Sequence, residues 1–426
     1  MRRSHSVVFA LFLGGGLLAL LLTPCGYELT AFGRAEQPSA PAGDVAPRVR
    51  DVRVLIADDV EGFRLRTDGP LRVLRDRAGT GIQLPAGKWI DVRRDETGGI
   101  RVGDDATSAL RVTLSGEPAG VVWVAFDRAG ESSTEVSYPG TLHVGGGDNG
   151  GIDVINEVDI ERYVACVVAN EVWPNFDTEA FRVQAIVVRT FALYQMNRRT
   201  TATFDVSATQ GSQVYRGLRT DATGRRAQEA AEYTRGVVCT WSDRGEERLF
   251  CTYYSAACGG ISQPAAPFGA EGDIVPLAGG VKCDFCRIAP GDAYRWGPAR
   301  LSLDDVLTRL VARYPDWQSL ERITSISVIE RTPSGRPVSL RVTGSNGRPQ
   351  DILAERFRLA VGPNLMRSTD CKIRVSAGEA IIENGKGFGH GLGLCQWGAQ
   401  GQAAAGKEAG EILRFYYPGT KLTRVY

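Results

Sequence analysis

Histidine is scarce in this chain of 426 residues, occurring only at positions 5, 143 and 390. Proton transfer must therefore fall largely to carboxyl groups. Glu171 has the most suggestive setting among them, after the apolar run Val167-Val168-Ala169 and before Val172-Trp173. Aliphatic and indole surface beside a carboxyl disfavours its charged form and raises its pKa. A carboxyl that keeps its proton can serve as a general acid. By itself a lone glutamate also reads as a helix-end cap or an ion-pair partner. A second group is made of thiols. Cys258 lies in an Ala-Cys-Gly-Gly loop, Cys283-Asp284-Phe285-Cys286 is a C-x-x-C pair, and Cys251 precedes Cys258. Such spacing suits a tetrahedral structural Zn²⁺ held by Cys258, Cys283 and Cys286. It equally suits disulfides in an oxidising compartment or a redox pair. A third group is the loop Gly385-Lys386-Gly387-Phe388-Gly389-His390-Gly391-Leu392-Gly393. Glycine at alternate positions permits positive φ and close backbone approach to a ligand. His390 could contact a ligand, assist proton transfer or hold the loop, and Gln396 just beyond it could contact a ligand or serve the fold. No nucleotide is expected. The loop lacks G-x-G-x-x-G spacing, and Gly401 to Lys407 imitates a phosphate loop with Glu408 where a hydroxyl residue is needed.

These groups need elements to position them. Ile160 to Glu171 reads as a helix, broken by Trp173-Pro174-Asn175-Phe176. Asp177 is a suitable N-cap for a second helix from Thr178 to about Asn197. That helix is apolar almost all round, which predicts a buried core helix. Inside it, Arg189 is flanked at three and four residues by Ala185, Ile186, Ala192 and Leu193. A guanidinium so placed needs a partner, and Gln184 needs hydrogen bonds. Either they tie loops to the helix or they touch a ligand. Upstream, Val52 to Ile56, Leu71 to Leu74, Ile100 to Val102 and Val121 to Val124 are short apolar or alternating runs between Gly and Asp turns, the pattern of strands. Gly151 to Glu157 reads as a further strand ending in a turn.

The chain exceeds a typical domain length, and 43% of it is hydrophobic, enough for a sizeable core. Its net charge of +1 gives no basic excess for a nucleic-acid surface. Arg2 and Arg3 precede an apolar run from Val7 to Leu22, the pattern of a signal peptide or signal anchor over residues 1–24. Cys25 stands where lipoproteins carry their lipidated cysteine, although Thr23-Pro24 fits that signal poorly. Residues 25–50 read as a flexible linker, 51–145 as a β-rich region and 146–426 as the core. The expectation is an extracytoplasmic protein tethered to or released from the membrane.

Several longer segments carry a family resemblance. Tyr163-Val164-Ala165-Cys166-Val167-Val168-Ala169-Asn170-Glu171-Val172-Trp173-Pro174 and Glu179 to Ala192 resemble the paired helical segments of the SpoIID/LytB domain. Gln213-Val214-Tyr215-Arg216-Gly217, Tyr254 to Gly260, Gly389 to Ala399 and Ile412 to Thr420 resemble further family motifs in the same order. The resemblance covers roughly Tyr138 to the C-terminus. It implies an α+β fold, a mixed α/β core behind the β-rich N-terminal region. It also implies a cell-wall protein, a lytic transglycosylase acting on peptidoglycan glycan strands with Glu171 as catalytic acid and base. Ordinary glycosidases use two carboxyl groups. Here the C6 hydroxyl of N-acetylmuramic acid, held at high effective concentration, would be the nucleophile, leaving a 1,6-anhydro sugar. Gln184, Arg189, His390 and Gln396 are the candidate substrate-binding residues. The alternative within the family is a non-catalytic peptidoglycan-binding enhancer of a cell-wall amidase. Some members bind zinc through a Cys/His set near Cys258, for which an all-Cys set would substitute here. The sequence departs from the family pattern at Cys166 for Gly, Val172 for Met and Cys395 for Ser, and Tyr254 or Ser255 stands near where some members have His.

Overall fold

The computed structural model describes residues 51–426, apart from 76–79, 110, 117–119, 127–133, 209–211 and 269–273. The expected targeting segment, linker and Cys25 lie outside the described residues. The fold is mixed α and β. Seven helices are labelled here: α1 (Ile160–Glu171), α2 (Thr178–Arg198), α3 (Ala222–Tyr233), α4 (Leu303–Arg313), α5 (Ala354–Val361), α6 (Gln396–Ala404) and α7 (Ala409–Tyr416). Among the described residues none is long and apolar enough to cross a membrane.

The N-terminal strands form two sheets. The larger has seven strands in the order Val206–Ser207, Val52–Val60, Ile152–Val158, Thr141–Gly146, Arg111–Gly116, Leu71–Arg75, Thr80–Leu84. Thr141–Gly146 pairs directly with Ile152–Val158, so a boundary at residue 146 falls between two neighbours of one sheet. Strand Ile152–Val158 alternates buried and half-buried residues, as a sheet with one face on the core requires. One buried position there is polar. Asn156 donates to the carbonyls of Pro139 and Thr141 and accepts from the Tyr215 hydroxyl at 2.6 Å. That satisfied set ties the segment around Tyr215 to the sheet.

The Asp159 carboxylate starts α1 by accepting the amides of Glu161 and Arg162. Helix α2 is buried along most of its length because α1, α3, α6 and α7 all pack on it. Asp177 occupies its N-cap position without capping it. The Asp177 carboxylate instead accepts Gln400 Nε2 at 2.6 Å, and the Asp177 amide donates to Gln400 Oε1. The start of α2 is thus tied to α6.

Residues 296–382 build a second core. Helices α4 and α5 cover two three-stranded sheets around Leu310, Leu340, Val342 and Phe357, all fully buried. The turn between strands Ile323–Arg331 and Pro337–Gly344 carries Arg336 into the first core. There its guanidinium donates to the carbonyls of His390 at 2.5 Å and Cys258 at 3.2 Å.

Candidate active site

Glu171 is the last residue of α1, and the chain turns away at Val172. One carboxyl oxygen accepts the Val214 amide at 2.9 Å and the Tyr254 hydroxyl at 3.1 Å. The Gln396 amide reaches the Glu171 carbonyl at 3.4 Å and Gln184 Oε1 at 3.5 Å. Four separate segments therefore meet at this carboxyl. The residue keeps some exposure, yet the carboxyl lies deep among protein atoms. Burial raises its pKa above the ordinary value. The Val214 amide, the Tyr254 hydroxyl, Gln396 and the charge of Arg216 pull the other way without cancelling the rise. Burial and the neighbouring Glu171 hold the Tyr254 phenol well above its ordinary pKa, so it remains a donor. A carboxyl so placed keeps its proton to a higher pH than a free one.

The physical reason for the shift differs in part from the one read in the sequence. Trp173 is 51% exposed, whereas Val172 is buried. Gln396 is a candidate from the sequence, whereas the donors from Val214 and Tyr254 are not legible there. The motif Gln213 to Gly217 was recognised without a role, yet its backbone supplies the Val214 donor. Glu179, the next carboxyl along, is occupied. It pairs with Arg182 at 2.5 Å and accepts the Ala409 amide at 2.8 Å, joining α2 to α7.

Arg189 does not reach this site. Its guanidinium is wholly buried and donates to both carboxyl oxygens of Glu161, to Thr234 Oγ1 and to the carbonyls of Ala231 and Val237. Glu161 also accepts the Gly236 amide and the Tyr426 hydroxyl. Every group on the pair is used inside the fold, so Arg189 is a core residue and not a ligand contact.

His390 is a partner within the loop. Its Nδ1 accepts the Leu392 amide at 2.9 Å, which leaves the proton on Nε2, hydrogen-bonded to the Tyr254 backbone. Burial pushes its pKa down to about 4. Glu355 opposes that shift, while the Arg358 and Arg336 charges add to it. A neutral imidazole thus links the glycine loop to the residue that donates to Glu171. The loop passes close to other backbone. A Cβ on Gly393, where φ is +60°, would meet the Tyr253 carbonyl oxygen at 2.2 Å, and one on Gly391 would meet the Arg336 guanidinium at 2.3 Å. At those positions glycine serves close packing of protein on protein.

The cysteines converge more fully than their spacing indicated. Cys258, Cys283, Cys286 and Cys395 are buried, with all four sulfurs within 4.8 Å of one another. The fourth member, Cys395, was noted in the sequence only as a departure from the family serine. Cys251 lies outside the cluster. All eight described cysteines are free thiols. Cys258 Sγ and Cys286 Sγ are 3.7 Å apart. Four thiolates about 2.3 Å from a tetrahedral zinc would stand roughly 3.8 Å from one another, so the donor set fits that ion. Its surroundings fit too. Cys395 Sγ accepts the amides of Cys258 and Gly398, and the Tyr416 hydroxyl lies 3.1 Å from Cys283 Sγ. A Cβ on Gly398 would fall 2.7 Å from Cys283 Sγ, so only glycine leaves room for the cluster.

The stage II sporulation protein family, SpoIID, matches residues 148–241, the span that holds Glu171, Gln184 and Val214. An uncharacterised protein of Brachyspira hyodysenteriae is 33% identical over 63% of this chain and 68% of its own length. Stage II sporulation protein D of Bacillus subtilis is 24% identical over 63% of this chain and 76% of its own. The amidase enhancer of Bacillus subtilis is 39% identical over 17% of this chain and 10% of its own length. The chain belongs to the SpoIID family.

Proposed function

We propose that this protein is a cell-wall enzyme, a lytic transglycosylase that cleaves the glycan backbone of peptidoglycan outside the cytoplasm. The observation that carries the reading is the Glu171 carboxyl, enclosed, raised in pKa and held by Val214 and Tyr254. In the reaction its proton passes to the glycosidic oxygen as the C1–O bond breaks. The C6 hydroxyl of the same N-acetylmuramic acid closes on C1, and its proton returns to the carboxylate. No water is consumed, and one carboxyl suffices for both transfers. Tyr254 and Gln396 fix where that carboxyl points.

Mass spectrometry of glycan strands incubated with the protein tests this. The expected products end in 1,6-anhydro-N-acetylmuramic acid, and reducing ends alone would mean hydrolysis. The short match to the amidase enhancer favours one competing reading, a peptidoglycan-binding protein that stimulates an amidase. Strand binding and amidase stimulation without any cleavage would establish it.

A structural zinc at Cys258, Cys283, Cys286 and Cys395 belongs to the same proposal. When bound, the ion would supply a cross-link and no reaction step. Cys395 ends a two-residue strand, Leu394–Cys395, that pairs in parallel with Tyr254–Ser255, and Cys258 follows that partner closely. The cluster therefore staples the two segments that bring Gln396 and Tyr254 to Glu171. About one equivalent of zinc is expected per chain, and a strong chelator should lower the thermal midpoint and weaken cleavage together. Cys395→Ser should lose most of the metal. Metal-free protein with these thiols oxidised would overturn the assignment in favour of disulfides.

A further inference from the structure

We propose that Trp173 is a stacking platform for a sugar ring of the glycan, next to the bond that is cut. This rests on the glycan-cleavage reading above and adds a specificity-determining residue to that site. Trp173 is two residues past Glu171 and is 51% exposed. A tryptophan buries a large apolar area and is normally tucked away. An exposed one that is held rigidly beside a polar site marks recognition.

Trp173 is held rigidly. Its ring packs against Trp397 at a tilt of 48°, with centroids 5.9 Å apart, and Trp397 in turn meets Phe176 edge-on at 4.7 Å. Both supporting rings are buried. The Arg226 guanidinium donates to the carbonyls of Pro174 and Phe176, which pins the loop that carries the ring. Trp397 also directly follows Gln396, whose amide reaches the Glu171 backbone. The aromatic tier and the acid thus stem from the same two chain segments, and the position of one fixes the other. Such support means that little side-chain freedom is lost on binding.

The neighbouring chemistry selects the occupant. Gln184 Nε2 is a buried polar atom with no hydrogen-bond partner within the described protein. Gln184 adjoins the groups around Glu171, since its Oε1 accepts from the Gln396 amide that also reaches the Glu171 carbonyl. A pyranose presents an apolar face of C–H groups and a rim of hydroxyl and acetamido groups. A flat exposed ring two residues past the acid matches the first, and the Gln184 and Gln396 amides near Glu171 match the second. An apolar protein surface would match the ring alone.

The test uses the full-length protein with Glu171→Gln as the uncleaving form and glycan strands stripped of peptides as the probe. Adding Trp173→Ala should weaken strand binding by about tenfold or more, as loss of a central aromatic anchor does. Trp173→Phe should remain within about threefold of the parent, because a flat ring is retained. In the cleaving enzyme, Trp173→Ala should raise KM for strands, while its thermal midpoint stays within about 2 °C because the ring is half out of the fold. Equal strand affinity with and without Trp173 would overturn the proposal. So would a Trp173→Ala variant that lost only amidase stimulation, because the ring would then be a protein contact. If the unaltered protein binds strands without cutting them, the catalytic reading fails while the affinity comparison still decides the role of Trp173. If it binds no strands, both fall.

Discussion

Glu171→Gln is expected to abolish glycan cleavage and leave a folded protein that still binds strands. The amide keeps the shape of the side chain, and its oxygen can still accept the Val214 amide that now holds the carboxyl. It cannot give up or take back a proton. General acid–base catalysis contributes about 10² to 10⁴-fold, and here one group performs both transfers. Loss at or beyond the upper end of that range should appear in the release of anhydro-muramyl products. The pH dependence follows from the raised pKa. Activity should fall as pH rises through the folded-state value, because the acid is then deprotonated. Stability should move the same way. A carboxyl whose folded pKa lies above its unfolded one stabilises the native state fully below the unfolded value, and that contribution is lost as pH rises through the folded value. Glu171→Gln does not titrate. Thermal unfolding should therefore show it close to the parent at acid pH, below the unfolded-state value, and more stable than the parent once pH passes the folded-state value. Normal turnover in a folded Glu171→Gln variant would remove Glu171 as the acid. Glu179 would be a poor replacement, since its carboxyl is taken by Arg182 and the Ala409 amide.

Arg189→Met should do the opposite, damaging the fold rather than the chemistry. The guanidinium is fully enclosed and joins Glu161 on α1 to Ala231, Thr234 and Val237 at and beyond the end of α3. Removing one partner of a buried pair leaves the other charge without compensation, at a cost of about 3–5 kcal/mol. Urea denaturation should record a loss of that order. Replacing both partners, as Arg189→Met with Glu161→Gln, should be less harmful than the single change, because no buried charge remains. Protein that stays folded should keep its affinity for strands. Loss of strand binding at unchanged stability would return Arg189 to the binding site.

Much of the arrangement was legible in local patterns. Helix α2 follows from an apolar stretch that starts after Asp177, α1 from the helical run that Trp173-Pro174 ends, and the first sheet from short apolar or alternating runs between turns. Each depends on residues close together in the chain, where backbone geometry and side-chain direction are set locally. Glu171 stood out for the same reason, because its apolar neighbours are its sequence neighbours. Local pattern had less success with side-chain function. Asp177 has the residue type and position of an N-cap, but Gln400, more than two hundred residues away, takes its carboxylate.

Contacts of that kind are what only the tertiary structure decided. Arg189 inside an apolar helix needed a partner, and sequence alone could not tell a ligand from Glu161. The pair formed because α1, α3 and the C-terminal Tyr426 enclose one space. Cys395 gave no sign of joining Cys258, Cys283 and Cys286. It does so because parallel pairing of Tyr254–Ser255 with Leu394–Cys395 brings it there. His390 and Arg336 are 54 residues apart in the chain, and folding places the His390 carbonyl against the Arg336 guanidinium. The sequence by itself determined which residues could carry a proton, a metal or a turn. Which of them meet was decided by long-range packing, because hydrogen-bond and ligand distances of a few ångströms depend on elements distant in the chain.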